Sequence, residues 1–163
     1  MSSTSREGPA TARPGPDTHD PDFERRVRAS FEAQGAMNLF GARMVGVEHG
    51  RVVIELDASP ATTQQHGFTH GGVIGAVLDS ACGFAALTMM PPDTGVLTVE
   101  YKVNFLAPAL GERFRMVGRV RKPGRTISLS EGDAYAIRGG VEKLIATMTA
   151  TLMTIRGRDD VRS

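Results

Sequence analysis

The segment from Gln64 to Met90, QQHGFTHGGVIGAVLDSACGFAALTMM, constrains the fold more than any other part of the chain. It begins as a turn rich in Gly and His and continues as about eighteen mostly apolar residues. A run of this kind predicts a helix that is apolar on all sides and therefore lies inside a protein. Asp79 stands near the middle of the run. Because a buried carboxylate is costly unless it is paired or used, Asp79 is the first candidate for a functional residue.

The composition narrows the classes of function. With 163 residues the chain is long enough for one domain with a substantial core. Nineteen basic and 18 acidic residues give a formal net charge of +1. This balance argues against a nucleic-acid partner, because surfaces that bind nucleic acids carry a basic excess. The single cysteine, Cys82, excludes a disulfide framework and favours a reducing, cytoplasmic location.

The two ends of the chain and the central run carry no sign of a targeting or membrane segment. Residues 1–20 lack the apolar core of a signal peptide, and their Ser, Thr, Pro and Gly content predicts a disordered tail. Asp79 and the small residues around it argue against a lipid-facing span, so no membrane partner is expected. The domain itself is expected to cover residues 21–156, and the charged residues 157–163 are expected to be frayed.

Apolar periodicity predicts the elements before the central helix. An amphipathic helix is expected from Asp22 to Gln34, with Gly35 as its end. Two strands rich in Val, Ile and Leu are expected at 44–48 and 51–57, on either side of a short turn.

Four longer strands are expected after the central helix. In the first of them, apolar residues from Leu97 to Phe105 alternate with polar ones, as in a half-buried strand. An antiparallel sheet of about six strands must cover its apolar face, and the one long apolar helix is the obvious cover. The fold class is therefore α+β, with a curved sheet wrapped around a central helix.

The residues one helical turn from Asp79 are all small, which would let a substrate or another backbone approach the carboxylate. They are Gly75, Ala76, Cys82 and Gly83. In the alternative interpretation, Asp79 only hydrogen-bonds a neighbouring backbone and fixes a strand or a subunit.

His70, Gly71 and Gly72 lie where the helix is expected to begin. The first amides of a helix have no internal partner and carry positive partial charge, and glycine lets an oxygen come close. Such a turn is a natural oxyanion hole for a carbonyl, although a plain flexible turn has the same sequence. His66 and His70 are not expected to bind a metal, because no third ligand lies near them. No cofactor motif was found.

Four arginines at alternate positions of one expected strand predict a basic stripe on one face of the sheet, because alternate residues of a strand share a face. They are Arg113, Arg115, Arg119 and Arg121. The stripe is either simply solvated or an anchor for an anionic phosphate group, with Lys122 and Arg125 in the adjoining hairpin.

Three stretches carry a resemblance to a known family: QQHGFTHGGVIGAVLDSACGFAA, TVEYKVNFLAPAL and GRVRKPGRTISLSEGDAY. Together, from about Leu39 to Ile155, the chain resembles the PaaI-like group of hotdog-fold acyl-CoA thioesterases. The resemblance implies the hotdog fold and hydrolysis of an acyl-CoA thioester to free acid and CoA. It also implies a homo-oligomer, with dimers that pair into a homotetramer and a site between two subunits.

The resemblance also implies roles for individual residues. Asp79 would activate water as a base or attack the thioester carbonyl itself, and the Gly71 amide would polarise that carbonyl. His70 would support the loop, Gln64 would contact the substrate or the water, and Thr98 would help to place the water. Because Thr98 has the parity opposite to the apolar residues of its strand, it is expected to point towards a partner subunit.

Further residues are expected to bind the substrate: Gly72, Phe68, Arg121 and Arg125. An apolar or aromatic acyl group is expected from the pocket candidates Phe68, Leu87, Met89, Met90 and Phe105. Two other functions stay open. One is a non-catalytic module that binds or senses acyl-CoA, and the other is an enoyl-CoA hydratase of the same fold in which His70 would be catalytic.

Overall fold

A computed structural model describes residues 20–156. The predicted tail and frayed C-terminus lie outside these residues, apart from Asp20, so both stay predictions. Three helices and six strands form the domain. The helices are α1 (Phe23–Glu32), α2 (Gly35–Phe40) and α3 (Gly71–Leu87). The strands are β1 (Arg43–Glu48), β2 (Arg51–Asp57), β3 (Thr94–Phe105), β4 (Arg113–Lys122), β5 (Ile127–Arg138) and β6 (Val141–Arg156).

The six strands form one antiparallel sheet in the order β1-β2-β4-β5-β6-β3, and α3 packs mainly over β4 and β5. The α+β class and the single long buried helix are confirmed. Because β3 follows α3 in the chain but pairs with β6, it closes the far edge of the sheet. This is the hotdog arrangement that the resemblance predicts.

A second short helix, α2, follows α1 and was not predicted. The helix expected from Asp22 to Gln34 is shorter than predicted, because α1 ends at Glu32, and Gly35, the expected stop, is the first residue of α2. Burial of Met37, which is 3% exposed, anchors the extra turn to the core. Gly41 then ends α2 in the left-handed conformation, with φ of 68°, which glycine adopts without strain.

The helix α3 lies directly on the sheet at two glycines. A Cβ atom added to Gly118 would lie 2.2 Å from the backbone oxygen of Ala81. A Cβ atom added to Gly132 would lie 2.8 Å from the side chains of Cys82 and Leu78. The sheet thus presents backbone rather than side chains at the point where α3 crosses β4 and β5.

Gly118→Ala is expected to destabilise the domain by about 3 kcal/mol, at the upper end of the range for overpacking, because rigid backbone meets the new methyl group. Urea or thermal unfolding measures the loss. Gly46→Ala is the matched control, because its Cβ atom would make an ordinary 3.4 Å contact with Val53. Equal destabilisation by the two changes would contradict the close helix–sheet contact.

The buried side chain of Arg26 links α1 to the carboxyl end of α3 by hydrogen bonds and pairs with Asp20. Arg26 Nε lies 2.9 Å from Asp20 Oδ2, and both side chains are at most 10% exposed. Arg26 Nη2 also donates to the backbone oxygens of Leu87 and Met90, at 3.2 and 3.0 Å. A cation at the carboxyl end of a helix satisfies its free carbonyls and opposes its dipole.

The edge strand β3 is far more exposed than the alternating sequence predicts. Val99 and Phe105 are 55% and 54% exposed, and the polar residues between them are exposed as well. The prediction of a half-buried strand is therefore wrong for a single chain, because α3 covers the middle of the sheet and β3 lies at its edge. A long, exposed, apolar edge is a surface that proteins normally cover or pair.

Candidate active site

Asp79 and Thr98 form one part of the site, on α3 and β3 respectively. Thr98 Oγ1 donates a hydrogen bond of 2.9 Å to Asp79 Oδ1. The prediction that Thr98 points towards a partner subunit is therefore wrong for its side chain, which points towards Asp79 of the same chain. The reason is a β-bulge at Val99, because Thr98 pairs with Leu152 and Glu100 with Thr151. The extra residue changes the parity of the strand, so Thr98 faces the helix.

The Asp79 carboxylate is partly buried and has room beside it. Burial raises the pKa of Asp79 above its usual value, and the hydrogen bond from Thr98 opposes this rise. A Cβ atom added to Gly75 or to Gly83, one turn before and one turn after, would meet nothing within 4 Å. A carboxylate with a raised pKa and free space on its helix face is typical of a base or nucleophile.

Asp79 opens onto a groove of about 410 Å³ between α2, α3 and β3. Its lining residues are Gln34, Gly35, Ala36, Met37, Ala76, Asp79, Ser80 and Tyr101. The sequence interpretation missed the wall formed by residues 34–37, because it did not predict α2. The apolar Met37 two residues after the presumed helix end was the available signal.

The amino end of α3 forms the second part of the site. His70 Nδ1 accepts a hydrogen bond of 2.8 Å from the Gly72 amide and thereby caps the helix. The neighbouring Gly71 amide makes no hydrogen bond within residues 20–156. Because the Gly72 amide is already bound, the Gly71 amide is the one available to a substrate oxygen, which is the role that the resemblance implies for it, whereas a direct role for Gly72 is not favoured.

Gly71 lines a pocket of about 300 Å³. Its lining residues are Gln64, Phe68, Thr69, Gly71, Phe105, Ala107, Pro108, Ala109 and Ile145. The Phe105 ring lies so close that a Cβ atom added to Gly71 would be 3.1 Å from its Cζ atom. Gln64 Oε1 accepts from the His66 amide, which leaves the Gln64 amino group free to donate.

Two further pocket candidates belong to the core instead. Leu87 and Met90 are 0% and 3% exposed and lie near the carboxyl end of α3, where Arg26 binds their backbone oxygens. The expectation that they line an acyl pocket is wrong. Their apolar character serves packing, which sequence pattern alone does not separate from binding.

The two parts of the site do not meet within one chain. Eight residues of helix separate Gly71 from Asp79, which corresponds to about 12 Å along the axis. The pockets beside them share no lining residue. A carbonyl held by the Gly71 amide is therefore out of reach of Asp79 of the same chain.

The arginine stripe on β4 is a ladder of ion pairs. Each of its arginines contacts at least one carboxylate of a neighbouring strand, so the stripe carries no free positive charge. The pairs are Arg113 with Glu55 and Asp57, Arg115 with Glu55 and Glu142, Arg119 with Asp133, and Arg121 with Glu131. Lys122 and Arg125 make no ion pair with any residue that the structure describes.

Other reactive groups contribute nothing to this chemistry. Burial, together with the smaller effect of the nearby Asp79 carboxylate, raises the pKa of the Cys82 thiol to about 12, so the thiolate form is suppressed. Within residues 20–156, no group of three or more potential ligands gathers as a metal site would require. In the same part of the chain, no helix is both long and apolar enough to cross a bilayer.

Comparisons with known proteins agree with this geometry. The model of the thioesterase superfamily matches residues 66–143. The crystal structure of a thioesterase family protein from Silicibacter pomeroyi is 51% identical with a TM-score of 0.82, covering 83% of this chain and 99% of that one. A protein of Saccharolobus solfataricus named as a putative esterase is 32% identical over 61% of this chain and 71% of its own. The 1,4-dihydroxy-2-naphthoyl-CoA hydrolase of Listeria monocytogenes is 32% identical over 45% of this chain and 59% of its own.

Proposed function

Because this chain belongs to the thioesterase superfamily, we propose that it is an acyl-CoA thioesterase, which hydrolyses an acyl- or aryl-acyl-CoA thioester to free acid and CoA. Membership confirms the resemblance to PaaI-like hotdog thioesterases. The observation that carries the proposal is Asp79, a partly buried carboxylate fixed by Thr98 beside an open groove. The activity of the Listeria relative supports a CoA thioester with an aryl group as one substrate class.

In the proposed reaction, the thioester oxygen accepts a hydrogen bond from the Gly71 amide. This bond strengthens as negative charge develops on the oxygen in the transition state. Asp79 either removes a proton from an attacking water or attacks the carbonyl carbon, and both routes consume one water and release the acid and the CoA thiol. Thr98 holds the carboxylate in place, and the free amino group of Gln64 contacts the substrate or the water.

A two-fold dimer through the β3 edge would bring the two parts together. Thr98 on β3 contacts Asp79, and Phe105 at the end of β3 contacts Gly71. If two β3 strands pair antiparallel about residues 101 and 102, Phe105 of one chain lies opposite Thr98 of the other. Gly71 then approaches the Asp79 of the second chain, and the symmetry creates two such sites.

The remaining parts of the proposal concern CoA, assembly and location. Lys122 and Arg125 make no ion pair with a described residue and are the proposed contacts for the CoA phosphates, whereas Arg121 would first have to leave Glu131. Pairing of two dimers into a tetramer is proposed from the family resemblance alone. A cytoplasmic location is proposed because the one cysteine is buried and unpaired.

A panel of acyl-CoA thioesters tests the activity. The purified chain is incubated with acetyl-, octanoyl-, benzoyl- and phenylacetyl-CoA, and the released CoA thiol is measured. Release of CoA from at least one thioester, with equal formation of free acid, is expected. Binding of these thioesters without any release would contradict catalysis and favour the acyl-CoA-binding alternative.

Mixing two inactive variants is expected to restore activity if the site lies between subunits. Asp79→Asn and Gly71→Pro each damage both sites of their own homodimer. A mixed dimer, however, keeps one site with both residues intact. After random exchange of subunits, about a quarter of the wild-type rate should return.

Co-expression with two different tags isolates the mixed dimer, which should then show about half of the wild-type rate because one of its two sites is intact. The unmixed variants, carried through the same steps, are the controls. If the mixed dimer is as inactive as its parents, the site belongs to one chain and the β3 pairing is wrong.

A further inference from the structure

The groove beside Asp79 has a wall that the matched family residues 66–143 do not include. We call this wall the α1–α2 corner and define it as Gln34 to Met37. It faces Ala76 and Ser80 of α3 and Tyr101 of β3 across the groove. The corner therefore bounds the space that a group attached to the reacting carbonyl would occupy.

The α1–α2 corner is held firmly against the core. Met37 is buried, and the ring of Phe31 packs edge-to-face on Phe84 of α3, with centroids 5.7 Å apart. The Arg26 side chain fastens α1 to the carboxyl end of α3. A wall fixed at both ends keeps the width of the groove constant, and constant width is what selection by size requires.

The charge in the groove indicates which end of the substrate lies there. Asp79 is its one ionisable carboxylate, and none of its lining residues is basic. The phosphates of CoA would be repelled by this carboxylate, whereas an uncharged acyl group would not. Ala36 and Ala76 offer small apolar surface, and Gln34 and Ser80 offer polar groups that contact each other at 3.4 Å.

Resting on the proposed thioester hydrolysis, we propose that the α1–α2 corner determines the size of the acyl group accepted at Asp79. Ala36 leaves room for the group because its side chain is one methyl. Gln34 disfavours long acyl chains. An alkyl chain against its side-chain amide would remove water from the amide without replacing the hydrogen bonds to that water. Both residues are specificity residues and take no part in the bond-making steps.

Two substitutions are expected to change selectivity in opposite directions. The measured quantity is the ratio of kcat/KM for octanoyl-CoA to kcat/KM for acetyl-CoA. Ala36→Phe fills the groove and should lower this ratio about tenfold or more, in line with pockets that discriminate by size. Gln34→Leu replaces the polar amide with apolar surface. It should raise the ratio about fivefold, because each methylene of the octanoyl chain that is buried against this surface adds to the affinity.

Leu39→Ala is the matched control, because Leu39 lies on α2, is 81% exposed and does not line the groove. The ratio of kcat/KM for octanoyl-CoA to kcat/KM for acetyl-CoA in this variant should stay within about twofold of the wild-type ratio. The inference is overturned if both corner variants also stay within that range, or if Leu39→Ala shifts the ratio as much as they do. Should Ala36→Phe fail to fold, Gln34→Leu alone decides.

A binding measurement separates this inference from the proposed function. The affinities of the octyl and ethyl thioethers of CoA, which cannot be hydrolysed, give the same size ratio without turnover. If the wild-type chain hydrolyses no thioester, the proposed function fails. A binding ratio that still falls in Ala36→Phe and rises in Gln34→Leu would support the corner as the size-limiting wall. A binding ratio that moves in neither variant overturns it.

Discussion

Asp79→Asn is expected to lower kcat by about 10²- to 10⁴-fold, the range for loss of a catalytic base. Asn keeps the size of the side chain and accepts the hydrogen bond from Thr98, but it neither takes up a proton nor attacks a carbonyl. The rate of CoA release is the measurement. Asp93→Asn makes the same chemical change in an exposed turn and should leave the rate unaltered.

The stability of the Asp79→Asn variant distinguishes catalysis from a structural role. Burial raises the pKa of Asp79, so the folded chain binds this proton more tightly than the unfolded chain. Its stabilising contribution is therefore present at low pH and is lost as pH rises through the folded pKa. At neutral pH the Asn variant should melt no lower than wild type, with unchanged oligomer size. A large fall in melting temperature would instead favour Asp79 as a structural group.

The same pKa shift predicts the acid side of the rate profile. A base or nucleophile must be ionised, so activity should fall with acid around a midpoint above about 3.9, the usual value for Asp. In the free enzyme this midpoint is obtained from kcat/KM. A midpoint at or below the usual value would mean that Asp79 is not the titrating group.

Gly71→Pro is expected to lower kcat by about 10²- to 10³-fold, as for removal of one oxyanion donor. Gly71 is the first residue of α3, where proline fits because its missing amide proton has no helical acceptor. The residue before it, His70, already has φ of −63° and ψ of 134°, which a following proline allows. The change thus removes the amide proton and little else from the backbone.

Gly71→Ala is the matched control for this second prediction. Its Cβ atom makes the same 3.1 Å contact with Phe105, but it keeps the amide proton. The Ala variant should lose less than about tenfold in kcat. If the Ala and Pro variants lose equal activity, crowding by Phe105 explains the effect and the amide does not act on the carbonyl.

The local pattern of residues was sufficient to predict most of the architecture. Apolar runs and turn residues predicted six strands around one central helix, and they placed the first three strands within a few positions of their observed bounds. The helical spacing from Gly71 to Asp79 was also readable, because both lie on one continuous helix. These features depend on neighbours in the chain, which a sequence displays directly.

Contacts between distant segments could not be predicted in this way. The bulge at Val99 turned Thr98 towards Asp79, and no turn residue or change of composition marks it. The arginines of β4 found carboxylates on β2, β5 and β6, so the predicted basic stripe became a neutral ladder. The placement of α2 beside Asp79 depends on how Met37 packs against the core.

The segment Gln64–Met90 contains both kinds of feature, those that its sequence determines and those that depend on the tertiary structure. Its sequence determined the buried helix, the acid within it and the glycine turn before it, because propensity and burial act residue by residue. Only the tertiary structure decided that His70 binds the Gly72 amide and leaves that of Gly71 free. It also decided that Gly71 and Asp79 face separate pockets. The physical reason is that about two turns of straight helix hold Gly71 and Asp79 apart, and only packing against other elements determines what each of them meets.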